Sequence, residues 1–313
     1  MRKASLAAVL TVSLAGCTVV PSIVAQRAAV PASTSPAPSA SPSSPSSPSS
    51  PSPASSTPAP SPTPSPARLT VQEARQAAAG WLAEHNKTVK DRDWWDDDDK
   101  RDTLFADGMR HEIVIDKGHV EDGQKNKARK PIRLTGRQTY YVPSEQPEGV
   151  EWFLLHATYQ GQDRAHILAF SRLKGESFKL AAKTPLHYGQ RIPAPKLDAD
   201  GYATAAPIGT GTTIAQEYRT FWNYSTNEKA GRSGYRLAKD NYSRRAFARV
   251  SKGMYMGYDS FTRPYGFRTR DGGSFYVFSL LNDPQSITQV LTLGAYVRGG
   301  SKSIQEIAGD WYA

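Results

Sequence analysis

Cysteine is almost absent: Cys17 is the only one in 313 residues, which excludes a disulfide framework and any cysteine-built metal site. Long apolar runs are missing too. A membrane-spanning helix needs roughly 20 consecutive apolar residues, and the most apolar stretch, Ala4 to Ala15, ends after twelve. No acid occurs before Glu73. There is no Gly-x-Ser-x-Gly, no His-Glu-x-x-His and no glycine-rich phosphate loop, so the common hydrolase, metalloprotease and nucleotide signatures are excluded. Ser171-Arg-Leu-Lys174 imitates a Ser-x-x-Lys nucleophile, but no Lys-Thr-Gly follows it, and Ser171 falls in a strand pattern where the chemistry wants a helix start.

What is present begins with Met1-Arg2-Lys3, a short basic segment ahead of the twelve-residue apolar run. That is the form of a secretory leader. Leu14-Ala15-Gly16-Cys17 closes it and resembles the lipobox of bacterial lipoproteins. The resemblance implies cleavage after residue 16, a lipid on the Cys17 thiol, and a home on the extracytoplasmic face of the cell membrane. Each buried methylene is worth roughly 0.8 kcal/mol, so two or three acyl chains make a lasting anchor.

Residues 31–67 contain only Pro (13), Ser (15), Ala (6) and Thr (3). Nothing there can build a core, and proline removes backbone donors, so residues 17–67 are expected to be a disordered tether. At about 3.1 Å per residue in polyproline II its reach is on the order of 150 Å. From residue 68 on, 36 basic residues face 29 acidic ones, a net +7. That modest excess suits an anionic cell-wall polymer or another envelope protein as partner; a nucleic acid is excluded outside the membrane.

The folded part opens with Thr70-Val-Gln-Glu73, a capping box ahead of an amphipathic stripe, and predicts a helix over 71–90 anchored by Trp81 and Leu82. The acidic stretch 91–102 lacks the alternating ligands, glycine and final glutamate of a calcium loop; it is expected to be a solvated loop over Trp94 and Trp95, ending in a short helix turn. Strand patterns follow at 111–115, 132–142, 152–159, 164–173 and 177–182, with a hairpin at 160–163. Residues 191–211, rich in Pro, Ala, Gly and Thr, are expected to connect two domains. The plan then restarts. Thr213 to Gln216 resembles a second capping box, opening a helix over 214–224, with another over 241–250. Strands are expected at 255–258, 265–270, 275–281 and 289–297, with a hairpin at Asp271-Gly272-Gly273.

The expected class is therefore α+β: a leader (1–16), the tether, a first domain (68–190), a connection and a second domain (212–313), each domain a helix on a curved antiparallel sheet. This plan resembles the nuclear-transport-factor-2-like and cystatin-like folds, and with the leader and tether it is similar to actinobacterial lipoproteins. That fold group hosts both enzymes and pure binders and implies no function by itself.

Two functional readings remain. Eleven of the fifteen tyrosines lie between Tyr202 and Tyr312, interleaved with arginine. Aromatic faces with arginine forks suit sugars, anionic polymers and protein partners. A binding patch of Tyr235, Arg244, Arg245, Tyr258, Arg263, Tyr265 and Arg268 is the leading expectation, in a non-enzymatic module without cofactor or metal. The alternative is a small hydrolase or isomerase with a pocket in the first domain drawn from Tyr140, His156, Tyr159 and His166.

Overall fold

The computed structural model describes residues 68–127, 129–147, 149–223, 231–249, 257–282 and 289–313. The leader, Cys17 and the tether lie outside the described residues. Helix α1 (Val71–Thr88) starts as its capping box dictates: Thr70 Oγ1 accepts from the Glu73 amide at 3.1 Å, and Glu73 Oε2 accepts from the Thr70 amide at 2.7 Å. Its buried stripe is Ala74, Ala78, Trp81 and His85, whereas Leu82 stays half-buried. A single 3₁₀ turn (Trp94–Asp96) tucks both tryptophans under the acidic run, and α2 (Asp98–Leu104) follows. The acids are balanced locally: Asp97 meets Lys100 at 3.5 Å, Asp98 meets Arg101 at 2.5 Å and Asp102 meets Arg110 at 2.7 Å.

Residues 111–115, expected as a strand, lie inside helix α3 (Asp107–Glu121). The β-branched run suits a strand by propensity. The neighbouring residues settle it otherwise, because Gly108, Met109, Glu112, Ile113 and Ile115 are buried together only at helical spacing.

A four-stranded antiparallel sheet follows in sequence order: β1 (Leu134–Tyr141), β2 (Val150–Tyr159), β3 (Ala165–Leu173) and β4 (Lys179–Pro185). One face, with Phe153, Leu155, Leu168 and Phe170, packs under α1 to α3.

Residues 191–207 run as an extended strap whose Pro195 and Ala205 bridge to Thr269 and Phe267. Helix α4 (Ile208–Trp222) is capped at Pro207, six residues ahead of the expected cap; Thr213 is interior and donates to the Gly209 carbonyl at 2.8 Å. The earlier start is fixed by packing, since Tyr276 Oη donates to the Pro207 carbonyl at 3.0 Å and holds the chain there. After β5 (Arg236–Leu237) and α5 (Tyr242–Arg249) come β6 (Ser260–Phe261), β7 (Tyr265–Arg268), β8 (Ser274–Leu281), β9 (Val290–Val297) and β10 (Ser303–Tyr312). Of the strand expected at 255–258, residues 255 and 256 lie outside the described residues, and 257 and 258 are not in a strand. The second sheet has the order β5-β10-β9-β8-β6, with β7 also on β8; all its pairs are antiparallel except β5 with β10. The second strand of that order, β10, has no counterpart in the sequence reading.

The α+β class stands, and each sheet carries helices on one face. The described residues of both expected domains belong to one compact unit. The reason is a third apolar core between the reverse faces of the two sheets, where Trp152, Leu154, Ile167 and Ala169 meet Tyr265, Phe267, Phe275, Val277, Ile307 and Ala308. The order is helices, sheet, sheet, helices. No helix among the described residues is long and apolar enough to cross a membrane.

Candidate functional site

A cavity of about 400 Å³ opens where α5 meets the second sheet, which is within the size range of small-molecule sites. Trp222, Tyr258 and Leu291 form its apolar lining, Arg245, Ala246 and Arg249 of α5 form one wall, and Asp310 and Trp311 of β10 stand at the rim. His187 comes from the other sheet. The chain leaving β4 pairs with β10, its amide donating to the Ile307 carbonyl at 2.9 Å, and this carries the imidazole into the cavity.

Glu306 is the buried centre of a polar network. One carboxylate oxygen lies 3.0 Å from His187 Nε2, and the other accepts from the Ser243 amide at 3.0 Å. Tyr218 Oη adds a third hydrogen bond to the carboxylate and accepts from Asn241 Nδ2 at 2.9 Å. Asn241 Oδ1 accepts from the Ser243 amide at 2.9 Å, so both Asn241 and Glu306 stand at the positive end of α5. The network fits only because residue 309 is glycine. A Cβ there would lie 2.8 Å from Glu306 Oε1 and 3.1 Å from the His187 ring.

Above this floor three planar groups stack. The His187 and Tyr242 rings lie 3.5 Å apart at 12°, and the Arg245 guanidinium sits 4.1 Å over Tyr242. Three lining side chains also end in buried polar atoms that have no hydrogen-bond partner among the described residues: Trp222 Nε1, Ser243 Oγ and Tyr258 Oη. Burial raises the Tyr258 phenol above its ordinary range, keeping it protonated, and raises the Asp310 carboxyl as well. Buried polar atoms are almost always satisfied, and each one left alone costs about 1–3 kcal/mol. Eleven such atoms occur among the described residues, and three of them gather around this cavity.

The expected patch is divided among several places. Arg245 and Tyr258 line the cavity, although Tyr258 is wholly buried. Arg244 is exposed on α5, its Nη1 donating to the Leu237 carbonyl at 3.4 Å. Tyr235, under the Lys302 ammonium at 4.2 Å, and Arg268 share a separate polar hollow of about 200 Å³ beside Gly272 and Gly273. Tyr265 is buried between the sheets and donates to Asp107 Oδ2 at 2.6 Å, and the charge of half-buried Arg263 acts on that same pair. The arginine-tyrosine enrichment lies in the half of the chain that supplies most of this cavity's lining. It did not single out His187, Ser243, Glu306 or Gly309; an acid placed among Ile304, Ile307 and Ala308 was the available signal.

The first-half grouping is divided as well. His156 pairs with Ile167 and His166 with Ala157, so the two imidazoles point to opposite faces of the sheet. His166 lies edge-on to Tyr159 at 4.7 Å, and Tyr140 donates to Gln138 at 2.8 Å. None of these four lines the cavity described above. Among the described residues no three His, Cys, Asp or Glu side chains are placed to share a metal ion.

A sequence family described as "Domain of unknown function (DUF8094)" matches residues 69–299, so β10 with Glu306 lies beyond the matched span. No curated protein and no solved structure matches the chain.

Proposed function

We propose, for a chain that belongs to the DUF8094 family of domains of unknown function, that it is a ligand-binding lipoprotein of the cell envelope, with the α5/β10 cavity as its binding site. The observation that carries the binding role is the set of three buried, unpartnered polar atoms around one cavity. We prefer a binder to an enzyme because both oxygens of Glu306 are engaged in holding His187 and the start of α5. Attachment through lipidated Cys17 rests on the leader and its Leu-Ala-Gly-Cys motif.

The binding role is tested by ligand-observed NMR with a fragment mixture. Ala246 is exposed on α5 and lines the mouth, so Ala246→Trp should plug the cavity and change stability by no more than about 0.5 kcal/mol. Fragments that bind the wild type and are lost with Ala246→Trp are the expected result; fragments retained equally by both proteins sink the assignment. For the anchor, Cys17→Ser should move the protein from the membrane to the soluble fraction. A variant that stays on membranes through a high-salt wash would end the lipid reading.

A further inference from the structure

We infer that the cavity selects an organic anion, a carboxylate carried on an apolar or aromatic body; this rests on the cavity being the binding site. The argument is a balance of donors against acceptors. Trp222 Nε1 can only donate, and the Ser243 and Tyr258 hydroxyls are each free to donate. Two guanidiniums join them, Arg245 and Arg249, one helical turn apart on the same face of α5. Neither is in an ion pair with a carboxylate among the described residues. Arg245 instead sits 4.1 Å over the Tyr242 ring, a contact made by its guanidinium face that leaves its N–H groups for a two-pronged contact with a carboxylate.

The acids in the lining do not cancel this. Glu306 is consumed by His187, the Ser243 amide and Tyr218 Oη, and it stands at the positive end of α5. Asp310 remains, with its carboxyl pushed up by burial. The open valences of the cavity are therefore mostly donors, and the complementary guest is rich in acceptors. A neutral sugar brings as many donors as acceptors and would leave part of each unmatched. A cationic guest would meet two arginines. The rest of the lining, Trp222, Tyr258, Leu291, Ala246 and Trp311, offers apolar surface for the body of the ligand.

The test holds the body constant and varies the head. Phenylacetate, 4-phenylbutyrate and decanoate are titrated into the full-length protein, each beside its amide and its amine, with N-acetylglucosamine as a neutral sugar. Tryptophan fluorescence reports binding, since Trp222 and Trp311 both line the cavity. At least one carboxylate should bind about tenfold or more tightly than its amide, as expected for a charge-assisted pair, and its amine should not bind. Arg245→Gln and Arg249→Gln should each weaken the carboxylate about tenfold and leave the amide unchanged. Trp222→Phe should weaken carboxylate and amide alike. If carboxylate, amide and amine bind equally and Ala246→Trp abolishes all three, the anion assignment falls while the cavity stands. If the sugar binds in preference, or none of the carboxylates binds, the assignment is overturned; the fragment experiment then judges the cavity separately.

Discussion

Acidification from pH 6.5 to 4.5 is expected to destabilise this protein along a slope set mainly by two buried histidines. His85 stacks on Trp81 at 5.0 Å, and burial holds its pKa down at about 4. His166 is lowered to about 4 as well, first by burial and then by the Lys183 charge. Unfolded histidine titrates near 6.5. Over this window the unfolded chain therefore takes up two protons that the native state refuses, and each is worth about 3 kcal/mol by the time the pH reaches 4. His111 and His156, also lowered by burial, act with the same sign. Glu112 acts against them. Burial pushes its pKa up to about 7 even with Lys183 Nζ at 3.9 Å. Its native form holds a proton that the unfolded chain releases near 4.5, so stability falls by about 3 kcal/mol as pH rises from 4.5 to 7. Urea denaturation across pH 4 to 8 separates the contributions by slope. His166→Gln should remove close to one proton from the acid limb. Glu112→Gln should steepen that limb and stabilise the protein above pH 7 by about 3 kcal/mol. An acid limb unchanged in His166→Gln would refute the assignment.

Gly108→Ala should cost about 3 kcal/mol or more, the largest effect expected from a single methyl group here. Gly108 lies in the first turn of α3 against β8, and a Cβ on it would stand 2.0 Å from Ser279 Oγ and 2.6 Å from Ser279 Cβ. Ser279 cannot yield easily. It is fully buried, and its hydroxyl is hydrogen-bonded to Thr292 at 2.8 Å. The helix cannot slide freely either: Asp107 accepts from Tyr265, Tyr312 Oη donates to Asp116, and Ile115 packs on Leu281 and Val290. For a chain of this size the melting temperature should fall by about 6 to 12 °C. Ser279→Gly removes the clashing atoms, so the double variant should recover at least half of the loss. Because α3 and the inter-sheet core join both sheets, wild type and variants should melt in one transition. A neutral Gly108→Ala, or two resolved transitions, would show that the halves are separable after all.

Much of the fold was written in local pattern. The Thr70–Glu73 capping box placed the start of α1, and the apolar runs of β1 to β4 and β7 to β9 placed strands within a few residues of where they lie. The errors share a cause. Residues 111–115 have strand propensity, but α3 is a helix because only that period buries Met109, Glu112 and Ile113 together. Thr213 has the form of a cap, but Tyr276 holds the chain at Pro207 and the helix starts there. β10 carries Gln305, Glu306 and Asp310, so its composition reads as a polar tail until a neighbouring strand supplies partners for them.

The two sheets reveal how local signal and long-range packing divide. The run Ser274–Leu281 is buried at all eight positions, because one face meets α4 and the other meets the first sheet. A strand with one solvated face would alternate. The unbroken apolar run carried that information, but it did not name the surface that covers the second face.

The sequence by itself determined the class, most of the elements, and the concentration of tyrosine and arginine in the second half. These follow from composition and from periods of two and 3.6, which act over neighbouring residues. The tertiary structure alone decided that the halves are one body and that the candidate site exists. His187 and Glu306 are 119 positions apart and meet only because the segment after β4 pairs with β10 over a glycine. No local period encodes such a contact. It is selected by the burial of two sheet faces against each other, which brings the imidazole, the carboxylate and the free donors of Trp222 and Tyr258 around one cavity.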